Sequence, residues 1–329
     1  MEPDENERDI ICRAFKHQVG GHKCVLQLTE NLICKPCEET ERTFYNNVPS
    51  TLQPYVPRYR GEVSVCCSDN DGQRVLHARV PKSILRTSRT CLGWNGETEE
   101  ENWSSSRVHH CIKNESLWKN NTAEKFIIFD NLIANFEHPC ALDIKLCQHY
   151  HGICVDKNKR RRLEQKCKNS TSSTLGFRMG GMQIYQQETK KTLQFNKYYG
   201  MTINDKQAIE LLKIFFGRSG KNLRDVSATL RNMHSAILNQ TDYIFLSLSL
   251  LFFYDNVENQ NNVTLVKPEP EENKAVRSRC KVFFIDFEKA IPATDKEVML
   301  LPVHLKENIN YGMTTLVNIL DSIELETHV

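Results

Sequence analysis

The run Pro139-Cys140-Ala141-Leu142-Asp143-Ile144-Lys145 sets an acid and a lysine two residues apart in an otherwise apolar stretch. A strand fits this alternation, because positions two apart point to one face. Asp143 and Lys145 then project side by side, with the apolar residues packed around them. Two more runs impose the same constraint. Phe126-Ile127-Ile128-Phe129-Asp130-Asn131-Leu132 reads as a buried strand entering a short connector. Cys280-Lys281-Val282-Phe283-Phe284-Ile285-Asp286-Phe287 reads as an apolar strand ending in an aspartate.

A strand with one wet face carries D-x-K readily, so the pair gains meaning only from its surroundings. Taken together, Asp143, Lys145 and Asp286 supply a carboxylate for hydroxyl groups, a cation and a metal ligand. That is the set phosphoryl transfer needs.

With 329 residues the chain has room for one large domain or two small ones. A formal net charge of +2 gives no general attraction for nucleic acid, so a polyanion site must come from local clustering. Met1 to Asp9 is acidic and polar, unlike a signal peptide. The longest apolar run, Tyr243 to Tyr254, is broken by Ser247 and Ser249. It is shorter than the roughly 20 residues that cross a bilayer, and no membrane insertion is expected. Thirteen cysteines without a secretory leader point to reduced thiols in cytosol or nucleus. Cys34 and Cys37 lack a second C-x2-C pair. Cys147, His149, His151 and Cys154 crowd too closely for paired knuckles, so ordinary thiols are expected rather than zinc ligands.

Along the chain, residues 1–10 read as a disordered tail. Residues 11–132 read as strands with one helix near Glu38 to Tyr45, and residues 68–122 as a loop-rich insertion. Residues 133–329 carry most of the helices. Asn204 and Asp205 cap a helix through Ile209, Leu212 and Phe216 that Gly217 ends. Val226, Leu230, Met233 and Ile237 define an amphipathic helix. Tyr243 to Tyr254 forms a buried strand, paired with the one ending at Asp286. Leu316, Ile319, Leu320 and Ile323 mark a terminal helix. The expected class is α+β, two-lobed, with a cleft between the lobes. Gly217 to Asn222 lacks the spacing of a P-loop.

The collinear pattern resembles the inositol polyphosphate kinase family, whose motif is P-x-x-x-D-x-K-x-G. Here it reads Pro139, Asp143, Lys145 and then Cys147 in place of glycine. His17 to His22, Cys34-Lys35-Pro36, Tyr59 to Cys66, Leu175 to Arg178, Gly181 to Tyr185 and Tyr198-Tyr199-Gly200 extend the likeness. These segments favour the inositol hexakisphosphate kinase branch. Ser249-Leu250-Leu251 is similar to the family's S-S-L-L, with Leu248 replacing the first serine.

The resemblance implies a kinase-like fold with ATP in the cleft. It places Lys35 on the ATP phosphates with Glu41 as its partner, and the main chain of Asp130 and Leu132 on the adenine edge. Asp143 is expected on the ribose hydroxyls and Lys145 on the moving phosphoryl group. Asp286 would hold Mg²⁺, with Ser249 beside it. A glycine at position 147 implies positive φ or a close approach. Cysteine there is expected to strain the chain and slow catalysis.

Lys157 to Lys168 carries seven basic residues against one acid, Glu164. Such a run reads equally as a solvated helix or a nuclear-import patch. Its position soon after the Asp143–Lys145 strand favours a polyanion site. Six phosphates carry about −9 to −12 charges and need several cations. Lys159, Arg162 and Lys166 share one helical face. The family-like segments add Arg178 and Lys197.

The expected function is ATP- and Mg²⁺-dependent phosphorylation of inositol hexakisphosphate by a monomer, without nucleic acid. Two alternatives stand beside it. One is a multikinase acting on hydroxyls of lower inositol phosphates. The other, motivated by Cys147 and Leu248, is a weak paralogue that only binds inositol phosphates or protein partners.

Overall fold

A computed structural model of the chain describes residues 6–21, 23–70, 73–87, 123–149, 156–219, 223–257 and 279–327. It divides into two compact units. The first comprises Met1–Glu38 with Pro57–Ala134, the second Glu39–Val56 with Asn135–Val329. Helix α1 (Glu39–Asn46) therefore belongs to the second unit, although strands of the first flank it in sequence. The cause is aromatic. Phe44 and Tyr45 are buried, and both pack on Phe287.

The first unit is a seven-stranded antiparallel sheet. Its strands are β1 (Glu7–Ile11), β2 (Arg13–Ala14), β3 (Leu26–Thr29), β4 (Leu32–Pro36), β5 (Tyr59–Asn70), β6 (Gln73–Pro81) and β7 (Glu124–Asp130). Their order is β1-β6-β5-β7-β4-β3-β2. Period-two alternation builds its core: Leu26, Leu32, Cys34, Val63, Val65, Ala78, Val80, Phe126 and Ile128 are buried together. Helix α2 (Lys82–Thr87) follows β6 directly.

Two expectations are corrected here. The acidic N-terminus is not all tail, because from Glu7 it pairs antiparallel with β6, Glu7 opposite Pro81. Its charges suit an edge strand, whose outward groups meet water. Nor does a loop begin at residue 68. β5 and β6 form a long hairpin through it, with Leu76, Ala78 and Val80 turned inward. That alternation was legible in the sequence beneath a polar composition. Residues 88–122 lie outside the described residues.

In the second unit, five antiparallel strands form the main sheet: β8 (Pro139–Leu146), β9 (Phe177–Gln186), β10 (Lys191–Phe195), β12 (Leu248–Asp255) and β13 (Lys281–Ile285), in the order β10-β9-β8-β12-β13. A separate pair joins β11 (Tyr243–Phe245) to β14 (Ala290–Pro292). The apolar run 243–254 is thus two strands in two sheets rather than one strand. The helices are α3 (Lys157–Lys168), α4 (Ser172–Leu175), α5 (Lys197–Thr202), α6 (Asp205–Ser219), α7 (Leu223–Asn239), α8 (Lys296–Met299), α9 (Val303–Lys306) and α10 (Asn310–Thr327). Val226, Leu230, Met233 and Ile237 of α7 are buried, as are Leu316, Leu320 and Ile323 of α10. α7 and α10 pack on each other.

Helix α6 begins as expected. Asn204 Oδ1 accepts from the Gln207 N–H and Gln207 Oε1 from the Asn204 N–H, each at 3.0 Å, a reciprocal cap. It does not stop at Gly217 but runs on to Ser219. A lone glycine costs a helix only about 1 kcal/mol against alanine, which the packed Phe215 and Phe216 outweigh. No helix among the described residues is long and apolar enough to cross a membrane.

Candidate active site

Four strands of the second unit's sheet bring one row of polar side chains together. Lys145 on β8 pairs with Arg178 on β9 and with Ser249 on β12. Ser249 pairs in turn with Ile285 on β13, and Asp286 follows immediately. Directly paired residues share a face of a sheet. The row therefore reads Arg178, Lys145, Ser249, Asp286, with Asp143 two residues back along β8.

Lys145 is its centre. Its Nζ lies 2.9 Å from Ser249 Oγ, 3.0 Å from Asp286 Oδ2 and 3.5 Å from Asp143 Oδ2. Burial disfavours the ammonium. Asp143 and Asp286 together outweigh that and raise its pKa above the ordinary lysine value. The Ser249 hydroxyl also donates to Asp286 Oδ2 at 3.2 Å. Leu248, which replaces the family's first serine, pairs with Leu146 on the opposite face and is buried in the core. That substitution is clear of the polar row.

Asp143 is 2% exposed. Burial is the largest influence on its carboxyl and raises its pKa. Lys145 and Arg178 pull the other way, while Asp286 adds to the rise. Its Oδ1 has no hydrogen-bond partner among the described residues. A buried acceptor left over in this way is expensive unless a ligand hydroxyl completes it. Room for the carboxylate comes from β9. A Cβ on Gly180 would sit 2.5 Å from Asp143 Oδ2, and the β8–β9 register shifts at this point.

Asp286 opens a 3-10 turn over Phe287–Lys289, in the left-handed region at φ 64° and ψ 60°. Glu41, fully buried on α1, accepts the Phe287 N–H at 3.1 Å. That bond ties α1 to the backbone beside Asp286.

The basic residues separate into two groups. Lys166, near the end of α3, has its pKa lowered by partial burial first, then by Arg178, Lys145 and Lys197. These four cations share one field. Arg178 is 6% exposed, so its charge is held inside the fold rather than waving from it. Helix α5 can carry Lys197 against β9 because Gly200 leaves space where a Cβ would strike the Met179 carbonyl. Lys159 and Arg162 are exposed near the start of α3. They act there on Asp156, whose side chain caps the helix by accepting from the N–H groups of Asn158 and Lys159.

In the first unit, Lys35 is half-buried near the end of β4, opposite Ile127. The Asp130 N–H donates to Arg58 O at 3.2 Å, and its carboxylate is gripped by Arg60 at 2.6 and 3.0 Å. Leu132 begins a turn anchored by Asn131. The Asn131 N–H donates to Asn31 O and its Nδ2 to Glu30 O, each at 2.8 Å. The Gly20–Gly21 turn is held by Gln18, whose Nε2 donates to the carbonyls of Gly20 and Lys23 at 2.9 and 2.8 Å.

Cys147 does not carry the strain expected of it. Among the described non-glycine residues, positive φ occurs only at Lys190 and Asp286. The Cys147 thiol is buried at 1% exposure, and its neighbour Cys167, then burial, push its pKa well up. Asn308 closes this corner. Its Nδ2 donates to Leu246 O at 2.6 Å and His149 O at 2.7 Å, and its Oδ1 accepts from the His149 N–H at 2.6 Å. A single asparagine in a polar stretch gave no sequence signal of that role. The same is true of Asp255, whose buried carboxylate accepts from the N–H groups of Glu137 and His138. His151 and Cys154 lie outside the described residues.

The sequence profile described as "Inositol polyphosphate kinase" matches residues 126–321. Inositol hexakisphosphate kinase 2 of Oryctolagus cuniculus is 28% identical, covering 78% of this chain and 78% of its own. Inositol hexakisphosphate kinase 1 of Homo sapiens is also 28% identical, covering 77% and 73%. The crystal structure of the S. cerevisiae inositol phosphate multikinase in complex with ADP and Mn²⁺ superposes with a TM-score of 0.58. It shares 18% identity and covers 89% of this chain and 98% of its own.

Proposed function

The chain belongs to the inositol polyphosphate kinase family, and we propose that it transfers the γ-phosphoryl group of ATP to inositol hexakisphosphate, giving a diphosphoinositol polyphosphate. The observation that carries this reading is the Lys145 ammonium, held between Asp143, Ser249 and Asp286 with Arg178 across the sheet. The relatives named inositol hexakisphosphate kinases support the choice of substrate.

Asp143 accepts from the ribose hydroxyls through its unpartnered oxygen. Lys35 neutralises ATP phosphates, and the main chain of Asp130 and Leu132 meets the adenine edge. Because the Asp130 N–H is spent on Arg58, its carbonyl is the group that would serve. Asp286, with Ser249 beside it, suits a hard divalent cation that arrives on phosphates. No cluster of three metal-ligating side chains is present among the described residues, and Mg²⁺ typically takes one or two carboxylates plus phosphate and water. When bound, Mg²⁺ neutralises charge on the phosphate oxygens.

A phosphate oxygen of the substrate attacks Pγ as the bond from Pγ to the bridging oxygen of ADP breaks. The nucleophile is already anionic, so no general base is required. Lys145 offsets charge on the phosphoryl group in flight, which is worth most in a dry, preorganised site. Lys166, Arg178 and Lys197 hold the substrate's other phosphates, with Lys159 and Arg162 steering it from further out. We also place the enzyme, as a monomer, in cytosol or nucleus. The ten described cysteines are free thiols, in keeping with a reducing compartment.

Purified protein incubated with Mg-ATP and a panel of inositol phosphates tests the reading. Turnover is expected to be highest on inositol hexakisphosphate. Preference for tris- and tetrakisphosphates would make it a multikinase, and binding without transfer to any of them would defeat the enzyme reading.

A further inference from the structure

Strand β5 carries a bulge where it pairs with the end of β7. Tyr59 lies opposite Phe129 and Gly61 opposite Ile128, so Arg60 is one residue more than β7 supplies. Gly61 permits this with φ at 121°, a conformation that side chains with a Cβ rarely adopt. Bulges re-aim a side chain and recur beside functional sites. Here the Arg60 guanidinium meets the Asp130 carboxylate twice, Nε donating to Oδ1 at 2.6 Å and Nη2 to Oδ2 at 3.0 Å. The two side chains are 14% and 30% exposed. A paired contact of this kind fixes orientation as well as adding energy. The Asp130 N–H is tied to Arg58 O at 3.2 Å. On the β4 flank, Asn131 donates to Asn31 O and Glu30 O, and its Oδ1 accepts the Ile133 N–H at 3.3 Å. Among the described residues no protein oxygen takes the Leu132 N–H. The connector thus offers the Asp130 carbonyl as an acceptor and the Leu132 N–H as a donor.

We propose that Arg60 is a positioning residue that sets the choice of nucleotide base: through Asp130 it holds the connector in the arrangement that accepts adenine and rejects guanine. This rests on the kinase reading, in which the connector meets the base. Adenine turns its N6 amino group to the carbonyl and its N1 lone pair to the N–H. Guanine presents an oxygen and an N1–H in those places, so donor faces donor and acceptor faces acceptor. Such a mismatch discriminates only while the two main-chain groups keep their spacing and direction. Arg60 touches neither the base nor the reacting atoms; it acts by fixing the residue whose carbonyl does the reading.

ADP and GDP are titrated separately, by calorimetry, into wild type, Arg60→Met, Asp130→Ala and the double variant. Turnover of inositol hexakisphosphate with Mg-ATP and Mg-GTP is measured beside it. Wild type is expected to prefer ADP to GDP by about a hundredfold or more. Each single variant is expected to lose about tenfold of that preference, a usual effect of removing a group that orients a binding group. The loss should fall on ADP affinity and on the KM for ATP, with GDP affinity unmoved and kcat at saturating ATP within about twofold of wild type. The double variant should be no worse than either single one, because both changes break one contact. A role in folding alone lowers the sites for ADP and GDP alike and leaves their ratio at the wild-type value, and that outcome overturns the inference. So do single-variant losses that multiply in the double variant, and a wild type that binds ADP and GDP equally. If Arg60→Met does not fold, Arg60→Gln and the more exposed Asp130→Ala are read in the same way, and a wild-type ratio in both overturns it. Wild-type protein that binds neither ADP nor GDP defeats the kinase reading, and the inference falls with it. Selective wild-type binding with indifferent variants defeats only the role of Arg60.

Discussion

Lys145 and Asp286 are 141 positions apart and meet at 3.0 Å, with the Ser249 hydroxyl bonded to both. Three strands are needed to make this contact, so it exists only in the assembled sheet. The contact lies at the middle of the proposed reaction centre and makes each of its members testable.

Asp286→Asn is expected to abolish metal-dependent turnover while the melting temperature moves little. Asparagine tolerates the left-handed backbone and keeps an acceptor for Lys145, but it gives up the anionic oxygen a hard cation prefers. Turnover with Mg-ATP and a thermal melt check this together. Near-normal activity in the variant would remove Asp286 from the metal site.

Lys145→Met is expected to lower turnover far more than ATP affinity. It also leaves Asp143 buried without its nearest cation, a loss of roughly 3 kcal/mol for a buried pair broken on one side. Adding Asp143→Asn should recover much of that stability without recovering activity. Chemical denaturation of the single and double variants checks the stability. Unchanged turnover with weaker ATP binding would place Lys145 in the nucleotide site instead.

The KM for inositol hexakisphosphate is expected to rise at alkaline pH. Burial and the cations Arg178, Lys145 and Lys197 lower the Lys166 pKa below its ordinary 10.5. A polyanion binds the charged form, so affinity is full below the lowered pKa and falls as pH rises through it. Lys166→Arg, which stays charged, should flatten this limb. Neutralising Lys159, Arg162 and Lys166 together should raise KM and weaken its salt dependence, since exposed charges are screened over about 8–10 Å. A shift in nuclear accumulation alone would make the run a targeting patch.

Cys147→Gly is expected to impair the protein rather than improve it. The position carries no positive φ to relieve. Glycine would vacate the buried space beside Cys167 and Asn308 and add backbone freedom, a loss of about 1 kcal/mol or more. Thermal melts and turnover of the variant check this, and faster turnover would revive the strain argument.

Much of the local pattern was legible in the sequence because it depends on period. Alternation put Asp143 and Lys145 on one face, ended β13 at Asp286, and gave α7 and α10 their buried stripes. Composition misled where it was allowed to override period, at β1 and β6. What the sequence could not supply was everything set by strand order and register. Only the sheet brings Arg178 and Ser249 against Lys145, turning a family-like arginine into a buried neighbour of that lysine. Only tertiary packing separates Lys166 from Lys159 and Arg162, which share a helical face but not an electrostatic environment. The hold of Glu41 on the Asp286 turn belongs to the same class. Helix α1 and that turn are 246 positions apart, and aromatic packing of Phe44 on Phe287 joins them with no periodicity to announce it. A sequence fixes which faces are apolar and which side chains carry charge. The free energy of burial, summed over contacts between distant segments, decides which of those charges meet.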